Sequence, residues 1–404
     1  MKKTLISCLF FIFCIPALLP AQTSFDDYKK MNQSGYQDYK DAVTGDFEKY
    51  KKELKQSFEN YKKKAAKVWG KKKAVMPDKK VWVQYRDNMR ERNIVNFENG
   101  NATVEIAVDS DDAKDKKELL EKLKKAIEKT VTSKPDERSI IEIAKNPEPV
   151  VEDETQEAVL KDQVKDKNGN IVTEKNSEEF AKDLIKDKKV KVVNVKGDDG
   201  KSRVVISVDF PLVPDHLKKR VEKYKDLVLK ESKKRELEAK LVFALMETES
   251  AFNPTAKSPV PAFGLMQLVP VSGGRDAYKF VHGKDKAPTD RFLYNPSNNV
   301  ELGAAYIYIL YYRYLSEIKN PDSRMWCAIA SYNTGVGNLL NTFAGTYSTR
   351  KFKSRSEWRN KGFGKINSMT SEEVFKYLEK NLPYEETRNY VVKVRERMPK
   401  YSSN

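Results

Sequence analysis

The stretch "ELEAKLVFALMETESAFNP", Glu236–Pro254, fixes how the C-terminal half is read. Its six consecutive apolar residues, Leu241 to Met246, leave no polar face. They predict a buried helix from about Glu236 to Ala251, ended by Asn253 and Pro254. Two glutamates fall near its end. At about 100° per residue, Glu249 shares a face with Leu245, Met246 and Phe252, while Glu247 is turned roughly 200° away. Glu249 also lies in the last turn, where the negative end of the helix dipole disfavours a carboxylate. Both effects raise its pKa, as a general acid requires. Glu247 reads as an ordinary surface or capping residue. On these grounds alone, a helix-end salt bridge and a catalytic acid fit Glu249 equally well.

The pattern stays helical from His216 to the C-terminus, and candidate chemistry gathers there. "AKSPVPAFGLMQLVP" (Ala256–Pro270) holds Ser258, a glycine that permits close backbone approach, Met266 and Gln267. Met266 offers a polarizable apolar contact, and Gln267 can both donate and accept hydrogen bonds to a sugar. "ASYNTGVGNL" (Ala330–Leu339) sets Tyr332 and Asn333 before a glycine turn. "LPYEETRNYVVKV" (Leu382–Val394) puts Glu386 four residues before Tyr390 on a helix. The tyrosine-rich "AAYIYILYYRYL" (Ala304–Leu315) is apolar on nearly every face and predicts a buried helix, with Tyr306 or Tyr311 as candidates to reach a cleft. His216 and His282 are the only histidines, so no dense His/Cys metal cluster exists and no cofactor is expected.

The N-terminus, "MKKTLISCLFFIFCIPALLPAQ", has two lysines, an apolar run and a small residue at Ala21. It predicts a signal peptide over 1–21, because the run is short of the ~20 residues that span a bilayer. "LISC" superficially resembles a lipid-attachment box, yet most of the apolar run follows Cys8; a lipid anchor is the less favoured alternative. Cleavage would leave Cys327 alone, a buried core thiol. The formal charge of +17 and pI near 9.3 suit polyanionic partners or simple solubility. Export removes nucleic acid from the expected partners. Anionic wall or membrane surface remains, with "YKKKAAKVWGKKK" (Tyr61–Lys73) as the strongest lysine run.

Residues 22–75 read as helical, with an eleven-residue repeat of aromatic pairs at Phe25, Tyr36, Phe47 and Phe58. The repeat forms either a stacking surface or, more simply, an amphipathic helix packed on its own domain. From 76 to 212 the texture is α+β. Asn101–Asp109 alternates as a strand, Lys114–Val131 has helical period, and Val190–Phe210 reads as a hairpin around Gly-Asp-Asp-Gly.

Taken in order, "ES-x-FNP-x-A-x-S", "GLMQ-x-x-P", "SYN-x-G-x-G" and "PY-x-ETR-x-Y" resemble the lysozyme-like lytic murein transglycosylases. "VPDHLKKRVEKY", "RFLYNPSNN", "INSMTSEEVFKYLEKN" and "RNIVNFENGNATVEI" are similar to the membrane-bound C type of that family. The resemblance implies an α+β multi-domain chain with a mainly α, lysozyme-like catalytic domain over 213–404. It implies that Glu249 is the sole catalytic acid/base on peptidoglycan glycan strands. Ser258, Met266, Gln267, Tyr332, Asn333, Glu386 and Tyr390 would bind substrate, with a structural role for Glu386 equally open. A monomer is expected. Two other classes stay open: a hydrolase with a second carboxylate, for which Asp276, Asp285 and Asp290 can be proposed, and a wall-binding protein that does not cut.

Overall fold

The computed structural model describes residues 48–151, 155–187, 190–258, 261–346 and 352–402. The signal segment, the first two aromatic pairs and Phe47 of the third lie outside the described residues. The fourth falls in a helix over 48–69, α1. Leu54, Phe58, Tyr61, Ala65, Val68 and Trp69 are buried along one face of it. Tyr61 meets Tyr85 edge-on at 5.7 Å, and Trp69 Nε1 donates to the Met89 carbonyl at 2.6 Å. This aromatic pair therefore packs on its own domain instead of forming an open stacking surface.

Five antiparallel strands form one sheet in the order β1-β2-β3-β5-β4. They are β1 Val81–Arg86, β2 Glu91–Asn96, β3 Asn101–Asp109, β4 Lys191–Lys196 and β5 Ser202–Pro211. Period-two alternation sends Trp82, Val95, Val104, Ile106, Val208 and Phe210 to one face, under α2 (Lys116–Thr132) and α4 (Ser177–Asp187). Val83, Tyr85, Ala107 and Val205 go to the other, against α1 and the short α3 (Ile140–Lys145). Both faces are thus covered. The β1–β2 turn runs through Asp87, Asn88 and Met89, all at positive φ, and carries no glycine. Its usual sequence signal is missing.

The rest is helical: α5 His216–Lys234, α6 Ala239–Ser250, α7 Gly273–His282, α8 Asp290–Tyr294 and α9 Pro296–Tyr308, then α10 Pro321–Ala344, α11 Arg355–Asn367, α12 Ser371–Asn381 and α13 Glu385–Arg397. Every residue of α6 from Leu241 to Ser250 is buried, so it is the central helix of this half. Helix α10 is kinked at Gly335, whose φ of 83° and ψ of 152° are non-helical. After α9 the chain widens into a π-helical turn, Ile309–Tyr314. The buried-helix expectation fails there: α9 is largely buried, but Tyr311 and Tyr312 are half-exposed and Tyr314 is exposed. The wider turn splays these rings toward solvent, where Tyr312 meets Tyr308 at a tilt and Tyr311 edge-on.

Candidate active site

The end of α6 is held from several directions. Ala251 caps it at φ 51°, and Phe252 follows at φ 57°. Two successive left-handed residues without glycine cost of order 1 kcal/mol each. Compensating bonds surround them. Arg220 Nε donates to the Ala251 carbonyl at 2.9 Å, and Ser250 Oγ donates to the Leu265 carbonyl at 2.8 Å. Asn253 Nδ2 donates to the Lys79 carbonyl at 3.2 Å, and its Oδ1 accepts from the Thr255 amide and hydroxyl.

Glu249 is only 6% exposed. Burial pushes its carboxyl up to about 7 from an ordinary 4.5. The charge of Lys79, the Tyr390 hydroxyl and Lys80 pull it down, and Glu386 pushes it up. The Tyr390 hydroxyl is buried without a hydrogen bond of ordinary geometry, yet it faces Glu249 closely enough to favour the ionised form. Glu247 is not the surface residue that the helical wheel suggests. It is 6% exposed and accepts from Tyr401 at 2.6 Å, Lys400 at 3.0 Å and Arg397 Nε at 3.0 Å. Because α6 is central, its opposite face is buried too, against the C-terminal residues.

The Gly264–Gln267 loop is tied to three helices. Asn299 of α9 accepts from the Met266 amide at 2.7 Å and donates to the Phe263 and Leu293 carbonyls at 2.8 Å each. Tyr332 of α10 donates its hydroxyl to the Met266 carbonyl at 2.8 Å, while Ser250 of α6 holds Leu265. Gly264 sits at φ 74°, and a Cβ there would come within 2.2 Å of Asn299 Nδ2. No other residue fits without moving Asn299.

The predicted site residues take different places around this frame. Tyr332 and Tyr390 both feel the charge of Glu249, and Tyr306 packs on Tyr332 at 5.4 Å. Asn333 Oδ1 accepts from Thr387 Oγ1 at 2.6 Å, joining α10 to α13. Gln267 turns its amide back onto the Gly264 carbonyl at 2.8 Å. Met266 is fully buried, its side chain against Gly303 of α9, where it supports the loop from behind. Ser258 is half-buried, next to the Lys257–Phe263 bridge. Glu386 stands on the first turn of α13, its side chain 72% exposed, paired with Lys79 at 3.5 Å. Tyr311 lies instead by Arg324 and the Pro321 carbonyl.

The acids proposed as a second carboxylate have other partners. Asp276 accepts from Tyr314 at 2.9 Å, Asp290 accepts from Tyr50 at 3.0 Å, and Asp285 is paired with Arg275 and Lys279. Sequence reasoning missed Asn299, Ser250, Arg220 and Lys79. Ser250 adjoins Glu249 and Asn299 closes "NPSNN", so both stood within quoted motifs without a role.

The raised Glu249 pKa has a consequence for stability. Between about 4.5 and 7 the folded state binds the proton that the unfolded chain has released, so stability falls as pH rises through that window. Glu249→Gln removes this loss. Above pH 8 the variant should be more stable by roughly 3 kcal/mol, and below pH 4 the two proteins should unfold alike. Thermal unfolding at both pH values checks it; an equal midpoint at pH 8.5 contradicts a buried, raised carboxyl.

Residues 226–354 match the family described as "Transglycosylase SLT domain", and residues 47–223 match "Membrane-bound lytic murein transglycosylase C, N-terminal domain". A protein named membrane-bound lytic murein transglycosylase C from Yersinia enterocolitica is 34% identical over 83% of this chain and 86% of its own length. Its namesake from Klebsiella pneumoniae is 32% identical over 81% and 83%. Among solved structures, the 70 kDa soluble lytic transglycosylase of Escherichia coli aligns at 25% identity with a TM-score of 0.32, over 46% of this chain and 25% of its own. The chain belongs to the membrane-bound lytic murein transglycosylase C family.

Proposed function

We propose that this protein cleaves the β-1,4 bond between N-acetylmuramic acid and N-acetylglucosamine in peptidoglycan and leaves 1,6-anhydromuramyl ends, in turnover or remodelling of the cell wall. One observation carries the reading: among the described residues one carboxyl, Glu249, is pushed up by burial, to about 7, while the equally buried Glu247 is paired with Arg397 and Lys400 and the nearby Glu386 is exposed and ion-paired. A glycosidase that uses water or a covalent intermediate usually pairs two working carboxylates. A transglycosylase needs one, because the substrate brings the nucleophile.

In this mechanism Glu249 gives its proton to the glycosidic oxygen as positive charge develops on C1. The C1–O bond breaks, and the N-acetylglucosamine leaves as the alcohol. Glu249, now a carboxylate, takes the proton of the muramyl C6 hydroxyl, whose oxygen bonds to C1. Acid and base roles return the enzyme to its starting state with no net water added. The Tyr390 hydroxyl, lacking another ordinary partner, stabilises the carboxylate between the two transfers. Gln267, Tyr332, Asn333 and Ser258 orient the sugars, and Glu386 and Tyr390 complete the wall of the cleft.

Residues 76–212 serve as an accessory domain, with 213–404 as the catalytic one. The N-terminal segment directs export to the periplasm, where the lysine-rich surface favours wall or anionic membrane. Among the described residues no helix is long and apolar enough to cross a membrane. The test is to digest purified peptidoglycan with the mature monomeric chain and weigh the muropeptides. Anhydro products, each one water lighter than the free reducing form, support the reading. Free reducing ends put a lysozyme-type hydrolase in its place, and no soluble product leaves a wall-binding protein.

A further inference from the structure

We propose that Lys79 is a positioning residue of the active site, an electrostatic partner of Glu249 supplied by the sheet half of the chain. This deepens the reading above and rests on Glu249 being the proton donor.

The geometry ties Lys79 to the site at two points. Its carbonyl accepts from Asn253 Nδ2, four residues past Glu249, on the turn that ends α6. Its ammonium pairs at 3.5 Å with Glu386, on the first turn of the helix that also carries Tyr390. The loop before β1 therefore spans from the catalytic helix end to α13 and holds a cation there. That cation is one-third exposed and within reach of water.

The charged and titratable groups facing Glu249 come from three directions. The loop before β1 supplies Lys79 and Lys80, α13 supplies Glu386 and Tyr390, and α10 supplies Tyr332. Lys80 is already balanced by Glu98 at 2.6 Å, and Glu98 is shared with Arg397 at 3.3 Å. Lys79 instead forms a looser pair with an exposed glutamate, so its charge is the less neutralised of the two. It opposes the burial that drives the Glu249 carboxyl up, and it eases ionisation once the proton has been given away. Without that cation, burial would hold the proton more tightly, so Glu249 would release it and act as base less readily near neutral pH.

The test is the pH dependence of kcat/KM for peptidoglycan cleavage, which reports ionisations of the free enzyme. Lys79→Met should move the alkaline limb upward by roughly half a pH unit or more, below the 1–3 units of a direct ion pair. Lys79→Arg should overlie the wild type, because it keeps the charge. Glu386→Gln should move the limb the other way, since it removes a negative charge and frees Lys79. The partial exposure of Lys79 makes all three variants expected to unfold near the wild-type temperature. A Lys79→Met profile that overlies the wild type overturns the proposal, as does an equal shift in Lys79→Arg. Activity retained by Glu249→Gln would instead remove the proton donor itself, a failure distinguishable from the first.

Discussion

Glu249→Gln is expected to lower the rate of glycan cleavage by roughly 10³- to 10⁴-fold, with KM little changed. The side chain is nearly isosteric, so it fills the same buried space at the end of α6. It can neither donate the proton to the leaving oxygen nor take the one from C6. The nearby Glu386 is 72% exposed and paired with Lys79, so it lacks the burial to substitute. Asp276, Asp285 and Asp290 are held by Tyr314, by Arg275 and Lys279, and by Tyr50. Because the same variant should be more stable than the wild type above pH 8, the lost rate cannot be attributed to unfolding. Single-turnover measurements on isolated glycan strands would separate the two parameters.

The second large effect is expected at Arg220. This buried guanidinium donates to the Ala251 carbonyl at 2.9 Å, to Gln163 Oε1 at 2.6 Å and to the Phe97 carbonyl at 2.7 Å. It also touches His216 Nδ1 at 3.0 Å, and burial and this cation together push the imidazole pKa down. Arg220 thus joins α5, the β2–β3 turn, the 155–164 segment and the left-handed cap of the catalytic helix. Arg220→Met keeps much of the stem but strands three buried acceptors. The expected loss is about 3–5 kcal/mol of stability. Cleavage should fall as well, because Arg220 holds the Ala251 carbonyl at the left-handed cap that follows Glu249. Urea unfolding gives the first number and the rate on peptidoglycan the second. A midpoint shift equivalent to less than about 1 kcal/mol would mean that water replaces the lost donors.

What the sequence revealed was local. The apolar run Leu241–Met246 marked α6, and the alternation of Asn101–Asp109 marked β3 residue for residue. The β-branched runs around Gly-Asp-Asp-Gly marked β4 and β5. The burial of Glu249 and its raised pKa were legible because Leu245 and Met246 lie four and three residues before it on the same helix. The rest depended on contacts that no window contains. Glu247 is buried by Arg397, Lys400 and Tyr401, about 150 residues later. Lys79 meets Asn253 and Glu386 across 174 and 307 residues. The β1–β2 hairpin escaped because Asp87-Asn88-Met89 adopts left-handed backbone without the glycine that would announce it. The packing of Met266 depends on such a distant contact too, since Gly303 of α9 leaves room for its sulfur.

The central claim is that the substrate's own C6 hydroxyl, not water, takes the bond at C1 under the control of Glu249. Digestion of peptidoglycan in water enriched in oxygen-18, followed by mass measurement of the first-formed muropeptides, tests it most directly. Intramolecular attack predicts anhydromuramyl products at their ordinary mass, with no heavy oxygen at C1. Reducing-end products two mass units heavier, formed at the rate of cleavage and lost in Glu249→Gln, would contradict it.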